Sequence, residues 1–182
     1  MIGGCVDTRD DLNTTIPSAR EAERKDEHLM NTQDTTWTIH KKRFSELTVE
    51  ELFAIYRLRV AVFVVEQACP YQEVDERDLR SYHLWLADET GTPVAYSRVY
   101  WKNEADGHAS FGRVIAARRR CGLGTQIVKA AMNCAKHDLG ARYITIEAQS
   151  YAQPFYENVG FKVISDEFME DGIPHKEMRV EV

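Results

Sequence analysis

At 182 residues, 43% hydrophobic and 29% charged, the chain suits one domain with a proper core, or a smaller domain plus a tail. A formal charge of −6 reads against nucleic acid as the main partner, and no apolar run approaches the ~20 residues of a membrane-spanning helix. Cys5, Cys69, Cys121 and Cys134 have no paired spacing, so neither a metal centre nor a disulfide framework is expected, and a reducing cytoplasm is the expected setting.

Residues 1–35 contain no aromatic side chain and scarcely any apolar periodicity, and 19–27 is a run of charges with acids in excess. Such a stretch cannot bury enough surface to offset its chain entropy, so it reads as a tail ahead of a domain over 36–182. It also lacks the apolar centre of a secretory signal. Trp37-Thr38-Ile39-His40-Lys41 alternates large and polar residues as a half-buried strand does. Thr48 and Glu51 then have the spacing of a capping box, which predicts a helix through Leu52, Ile55, Tyr56 and Arg59. The β-branched run Val60 to Val65 should end it. An acidic loop with Glu73, Asp75, Glu76 and Asp78 follows.

Tyr82 to Ala87 and Val94 to Trp101 predict a hairpin around a turn at 88–92, and His108 to Ile115 a third strand. Leu123, Ile127, Ala131 and Cys134 share one helical face, and Gly140 is placed to cap that helix. Tyr143–Ile146 reads as a short buried strand, 152–158 as a brief helix, and 161–164 and 176–180 as closing strands. This order implies an α/β or α+β fold, mostly antiparallel at first, with one parallel crossover at strand–loop–helix–strand. Parallel strands splaying there would open a cleft onto the N-terminus of the helix.

That N-terminus carries the strongest chemical signal. Arg118-Arg119-Arg120 runs straight into Cys121-Gly122-Leu123-Gly124-Thr125. Glycines let backbone amides approach a ligand, a helix N-terminus offers unpaired donors, and arginine adds bidentate phosphate contacts. The pattern is a cradle for a pyrophosphate. It is not a P-loop, which needs Lys-Ser/Thr after a second glycine five residues beyond the first. A dinucleotide fingerprint wants Gly or Ala at 127, where Ile127 stands, although Glu147 lies at about the distance of a ribose contact.

The spacing Arg119-x-x-Gly122-x-Gly124 resembles the acyl-CoA loop of the GCN5-related N-acetyltransferase (GNAT) superfamily. Phe155-Tyr156 before Gly160-Phe161 resembles the later motif of the same superfamily. Within it the chain is similar to the ElaA family through Arg59, Val62 to Gln67, Cys69-Pro70-Tyr71, Asp75, Asp78, His83, Gly112-Arg113-Val114, Ala148-Gln149 and 170–175. The resemblance covers nearly all of 37–182. It implies the GNAT fold, a mixed and mostly antiparallel sheet with a splayed parallel pair and flanking helices.

It further implies transfer of an acetyl group from acetyl-CoA, without a metal, to a small-molecule or peptide amine. Val114, Ile115 and Ala116 would meet pantetheine, Arg119, Arg120, Cys121, Gly122, Leu123, Gly124 and Thr125 the pyrophosphate, with Gln149 beside the cofactor. Tyr156 would stand near the sulfur and protonate the leaving thiolate, as a phenol neutral at pH 7 can. The strand 111–117 holds no acid, so the base is sought at Glu66, His83 or Glu147, or in a water chain. Glu66 and Gln67 would line the acceptor pocket, the acidic loop would draw a cationic amine, and His175 reads as a turn-end residue. Two alternatives stand beside an N-acetyltransferase: a non-catalytic acyl-CoA sensor, and an enzyme like the acyl-homoserine-lactone synthases. A homodimer stays open.

Overall fold

The computed structural model describes residues 37–118 and 121–182, and the expected tail over 1–35 and the cradle residues Arg119 and Arg120 lie outside them. Trp37 leads straight into β1 (Thr38–Arg43). Thr48 then opens α1 (Val49–Arg59) through the expected capping box, its Oγ1 accepting from Glu51 N–H at 3.2 Å while Glu51 Oε2 accepts from Thr48 N–H at 2.9 Å. The β-branched run does not end this helix. It widens into a π-helical stretch, Val60–Glu66, in which Gln67 N–H reaches Val62 O. Branching costs only a few tenths of a kcal/mol per residue. Val62 and Phe63 gain more by packing on the core formed by Ile55, Trp85, Tyr96 and Ile115.

The rest of the sheet follows as β2 (Tyr82–Ala87), β3 (Pro93–Asn103), β4 (His108–Ala116), β5 (Tyr143–Gln149), β6 (Lys162–Val163), β7 (Phe168–Glu170) and β8 (Ile173–Glu181). The strand order is β1-β2-β3-β4-β5-β8-β6, with β7 paired to β8. Every pairing is antiparallel except β4 with β5. The parallel crossover is made by α2 (Leu123–Cys134), which continues as a π-turn to Leu139 and stops at Gly140 with φ 73°. A five-residue helix, α3 (Gln153–Glu157), precedes β6.

Both faces of the sheet are covered, so β2 is buried on both sides. Leu84 and Leu86 join a layer with Leu123, Ile127, Ala131, Tyr156 and Phe161, under α2 and α3. Trp85 and Ala87 join the opposite layer, under α1. A second element departs from expectation. The last strand begins at Ile173, and β7 folds back on it through Asp171 and Gly172, with φ of 50° and 79°. An Asp-Gly pair with both residues left-handed is the two-residue turn that matches strand twist.

Candidate active site

β4 and β5 pair only from His108–Ser110 against Tyr143–Thr145. Beyond that they part, because β4 stays on β3 and β5 stays on β8. A bulge drives the divergence. Tyr96 faces Ile115 and Arg98 faces Gly112, so Arg113 and Val114 together oppose Ser97 alone. Arg113 holds φ 55°, a left-handed conformation that costs a non-glycine residue about 1–2 kcal/mol. Its guanidinium is anchored to Glu73, with Nε 2.9 Å from Oε1 and Nη2 3.2 Å from the carbonyl oxygen.

The split forms a groove of about 770 Å³, and Val114, Ile115 and Ala116 line one wall with Gln149 on the other. Gly122, Leu123, Gly124 and Thr125 close one end. Gly122, with φ 79°, turns the chain into α2, and Gln126 N–H is the amide that bonds back to Gly122 O. Geometry leaves the amides of Leu123, Gly124 and Thr125 without intrahelical acceptors, at the positive end of the helix dipole. That end is suited to an anion. Cys121 is exposed beside the groove, its thiol turned 3.1 Å from Arg118 O.

Tyr156 also lines the groove, at 8% exposure. Its ring packs edge-on against Phe155 and Phe161, with centroids at 5.0 and 5.9 Å. Burial, with a smaller push from Tyr151, raises its pKa, so the phenol keeps its proton through the neutral range. At the other end stand Glu66, Gln67 and Tyr71, facing Glu170 and His175 from the β7–β8 hairpin. Glu147 lines the groove too, but its carboxylate lies 3.4 Å from the Lys102 ammonium.

His83 is not brought to this site. It is fully buried, with Nδ1 2.7 Å from the Tyr96 hydroxyl and Nε2 3.0 Å from the Asp78 carbonyl oxygen. A carbonyl only accepts, so Nε2 carries the proton and donates it, and Nδ1 accepts from the phenol. No lone pair is left for substrate. The acidic loop also serves another purpose. Asp78 takes both Arg59 Nη atoms, at 2.7 and 3.1 Å, and Arg98 Nη1 at 2.9 Å. Asp75 chelates Arg98 with two contacts of 2.7 Å, and Glu73 Oε1 accepts from Arg59 Nε at 2.8 Å. Three carboxylates thus balance Arg59, Arg98 and Arg113 in a largely buried network, instead of drawing an acceptor.

The network gives the fold a pH dependence. Burial alone would raise the Asp78 pKa, but the hydrogen bonds and charges of Arg59 and Arg98 outweigh it and hold the carboxyl below its usual value, as Arg98 does for Asp75. Burial depresses the His83 pKa. Both shifts mean that the unfolded chain binds more protons, so stability falls on acidification. The His83 contribution is complete above the unfolded imidazole value of about 6.5, and it is lost as pH drops through the folded value. The carboxylates follow below about 4. Melting temperatures between pH 8 and pH 2 should fall in two stages, and His83→Phe should shrink the first, to which His108, its pKa also lowered by burial, contributes the rest.

Comparison with known proteins agrees with this geometry. A family model described as an acetyltransferase (GNAT) domain matches residues 44–182. A UPF0039 protein of Schizosaccharomyces pombe is 44% identical over 144 residues, 78% of this chain and 95% of that protein. Protein ElaA of Escherichia coli is 38% identical over 144 residues, 76% and 92% of the two chains. A crystal structure of an acyl-CoA N-acyltransferase from Pseudomonas aeruginosa superposes with a TM-score of 0.72 at 37% identity, covering 79% of this chain and 99% of that one. The described fold is therefore one that supports acyl transfer from acyl-CoA.

Proposed function

The chain belongs to the GNAT acetyltransferase family, and on that premise we propose that it transfers an acetyl group from acetyl-CoA to an amine by direct attack. The observation that carries this reading is the split between β4 and β5, which opens onto the bare amides of α2 and holds Tyr156 on its wall.

In this mechanism the amides of Leu123, Gly124 and Thr125, with Arg119 and Arg120, hold the pyrophosphate. The unpaired edge of Val114, Ile115 and Ala116 hydrogen-bonds the pantetheine arm, with Gln149 across from it. The thioester then lies in the split. The amine attacks its carbonyl carbon, and Tyr156 donates its proton to the departing thiolate. Glu66 and Gln67 stand at the acceptor end. The donor and acceptor are tested together by following thiol release from acetyl-CoA across small amines, polyamines and peptides. Release above the rate without amine supports the transferase. Tight acetyl-CoA binding with no release for any amine would favour a CoA sensor.

A further inference from the structure

Every base candidate named from the sequence is compromised or engaged. His83 has spent both nitrogens, Glu147 lies beside Lys102, and Glu66 stands exposed at the end of the π-helical stretch. His175 is different. It faces Gln149 across the β5–β8 pairing, at the end of β5 where the sheet has split, and it lines the groove while only 8% exposed.

Its Nδ1 lies 2.8 Å from the Ile173 carbonyl oxygen. Since that oxygen only accepts, Nδ1 holds the proton and Nε2 holds the lone pair of the neutral ring. Glu170 Oε2 stands 3.8 Å from Nε2, beyond a direct hydrogen bond. Phe168 stacks on the ring at 6.1 Å. The Asp171-Gly172 turn sets this arrangement by pairing Phe168 with His175 and Glu170 with Ile173. The neighbouring cation, Lys176, is turned away to Gln153 Oε1 at 2.9 Å, and Gln149 on β5 carries no charge. The groove's other charged groups are Glu66, Asp171, Arg77 over the Tyr100 ring, Arg98 and Arg113 held by the acidic network, Arg118 near Asp88, and Glu147 beside Lys102.

We propose that His175 is the general base of the reaction, with Glu170 as its positioning residue; this rests on the transferase reading above. The acceptor arrives as an ammonium and gives one proton to Nε2. The freed lone pair attacks the thioester carbon, forming the C–N bond. The C–S bond then breaks, and its electron pair leaves on sulfur. Tyr156 protonates the thiolate and recovers a proton from the cationic nitrogen, leaving a neutral amide. The imidazolium releases its proton to solvent. One ammonium and one thioester become one amide, one thiol and one proton.

The test uses the full chain with n-butylamine, spermidine and an alanyl peptide amide as probes, between pH 6 and pH 9. His175→Gln should lower kcat/KM for the reactive amine by roughly 10²-fold at pH 7, with calorimetric affinity for acetyl-CoA unchanged. The deficit should shrink towards pH 9, where the amine loses its proton unaided. Glu170→Gln should lower kcat/KM for the same amine several-fold at pH 7 with calorimetric affinity for acetyl-CoA unchanged, because Nε2 loses the carboxylate 3.8 Å away. That loss also tests the proposal should His175→Gln not fold. Wild-type kcat/KM in His175→Gln would overturn it. So would an equal deficit at every pH accompanied by lost acetyl-CoA affinity, which marks a structural residue. Wild-type protein that binds acetyl-CoA but releases no thiol with any probe would overturn the transferase reading itself, and this proposal with it.

Discussion

Replacing Tyr156 by Phe should lower turnover roughly 10²-fold while leaving the Michaelis constant for acetyl-CoA nearly unchanged. The substitution removes one hydroxyl and almost no volume, so the ring contacts with Phe155 and Phe161 survive. No described residue takes a hydrogen bond from that hydroxyl, so its loss should leave no buried partner stranded and cost little stability. The damage therefore concentrates in the transition state, where charge gathers on sulfur. A thiolate can leave unprotonated more readily as pH rises, so the defect should be smaller at pH 9 than at pH 7. Steady-state kinetics at the two values decide the matter. Wild-type turnover in the variant at both would remove Tyr156 from the chemistry.

Gly124→Glu should reduce CoA affinity by at least about 100-fold, or some 2.7 kcal/mol, with the fold intact. A Cβ at this position would lie 3.5 and 3.6 Å from Phe155 ring carbons and 3.9 Å from the Ala116 Cβ, ordinary contacts that ask nothing to move. Gly122 would be a poor choice, because its φ of 79° strains any side chain whatever the space. At 124 the new carboxylate sits among the bare amides at the start of α2. It competes for their hydrogen bonds and repels the phosphates. Calorimetric titration with CoA, beside a melt without ligand, separates lost binding from lost folding. Near-normal affinity would mean that the loop is only a turn.

What was legible in the sequence was local. The Thr48–Glu51 box, the Gly140 stop and the glycines at the start of α2 each declare themselves within a few residues, because capping and turn chemistry act at that range. The charged network was not legible. Arg59 meets Glu73 across 14 positions and Arg113 meets it across 40, and no spacing rule links such residues. The acids therefore read as a solvated loop or an acceptor lure, and His83 as a base, until tertiary contacts turned them inward. The β7–β8 hairpin is a different case. Asp171-Gly172 is a strong turn signal, but β7 is three exposed residues, too short to show alternation beside it. With the hairpin unseen, His175 read as the end of a turn. The π-helical stretch shows the converse error, where β propensity outweighed the pull of Val62 and Phe63 into the core.

The parting of β4 and β5 puts strand edges in the middle of a sheet instead of at its rim. Rim edges invite other extended chains, and proteins defend them with charge, proline or short strands. The inner edges at 114–116 and 146–149 are defended by geometry, since the strands that carry them rejoin at Ser110 and Thr145 and leave a gap that narrows to nothing. A slim arm fits between them more readily than a second polypeptide. An arm bound at 100 times its dissociation constant stabilises the fold by about 2.7 kcal/mol. How much of this protein survives heat and proteolysis should therefore rise and fall with the supply of its acyl donor.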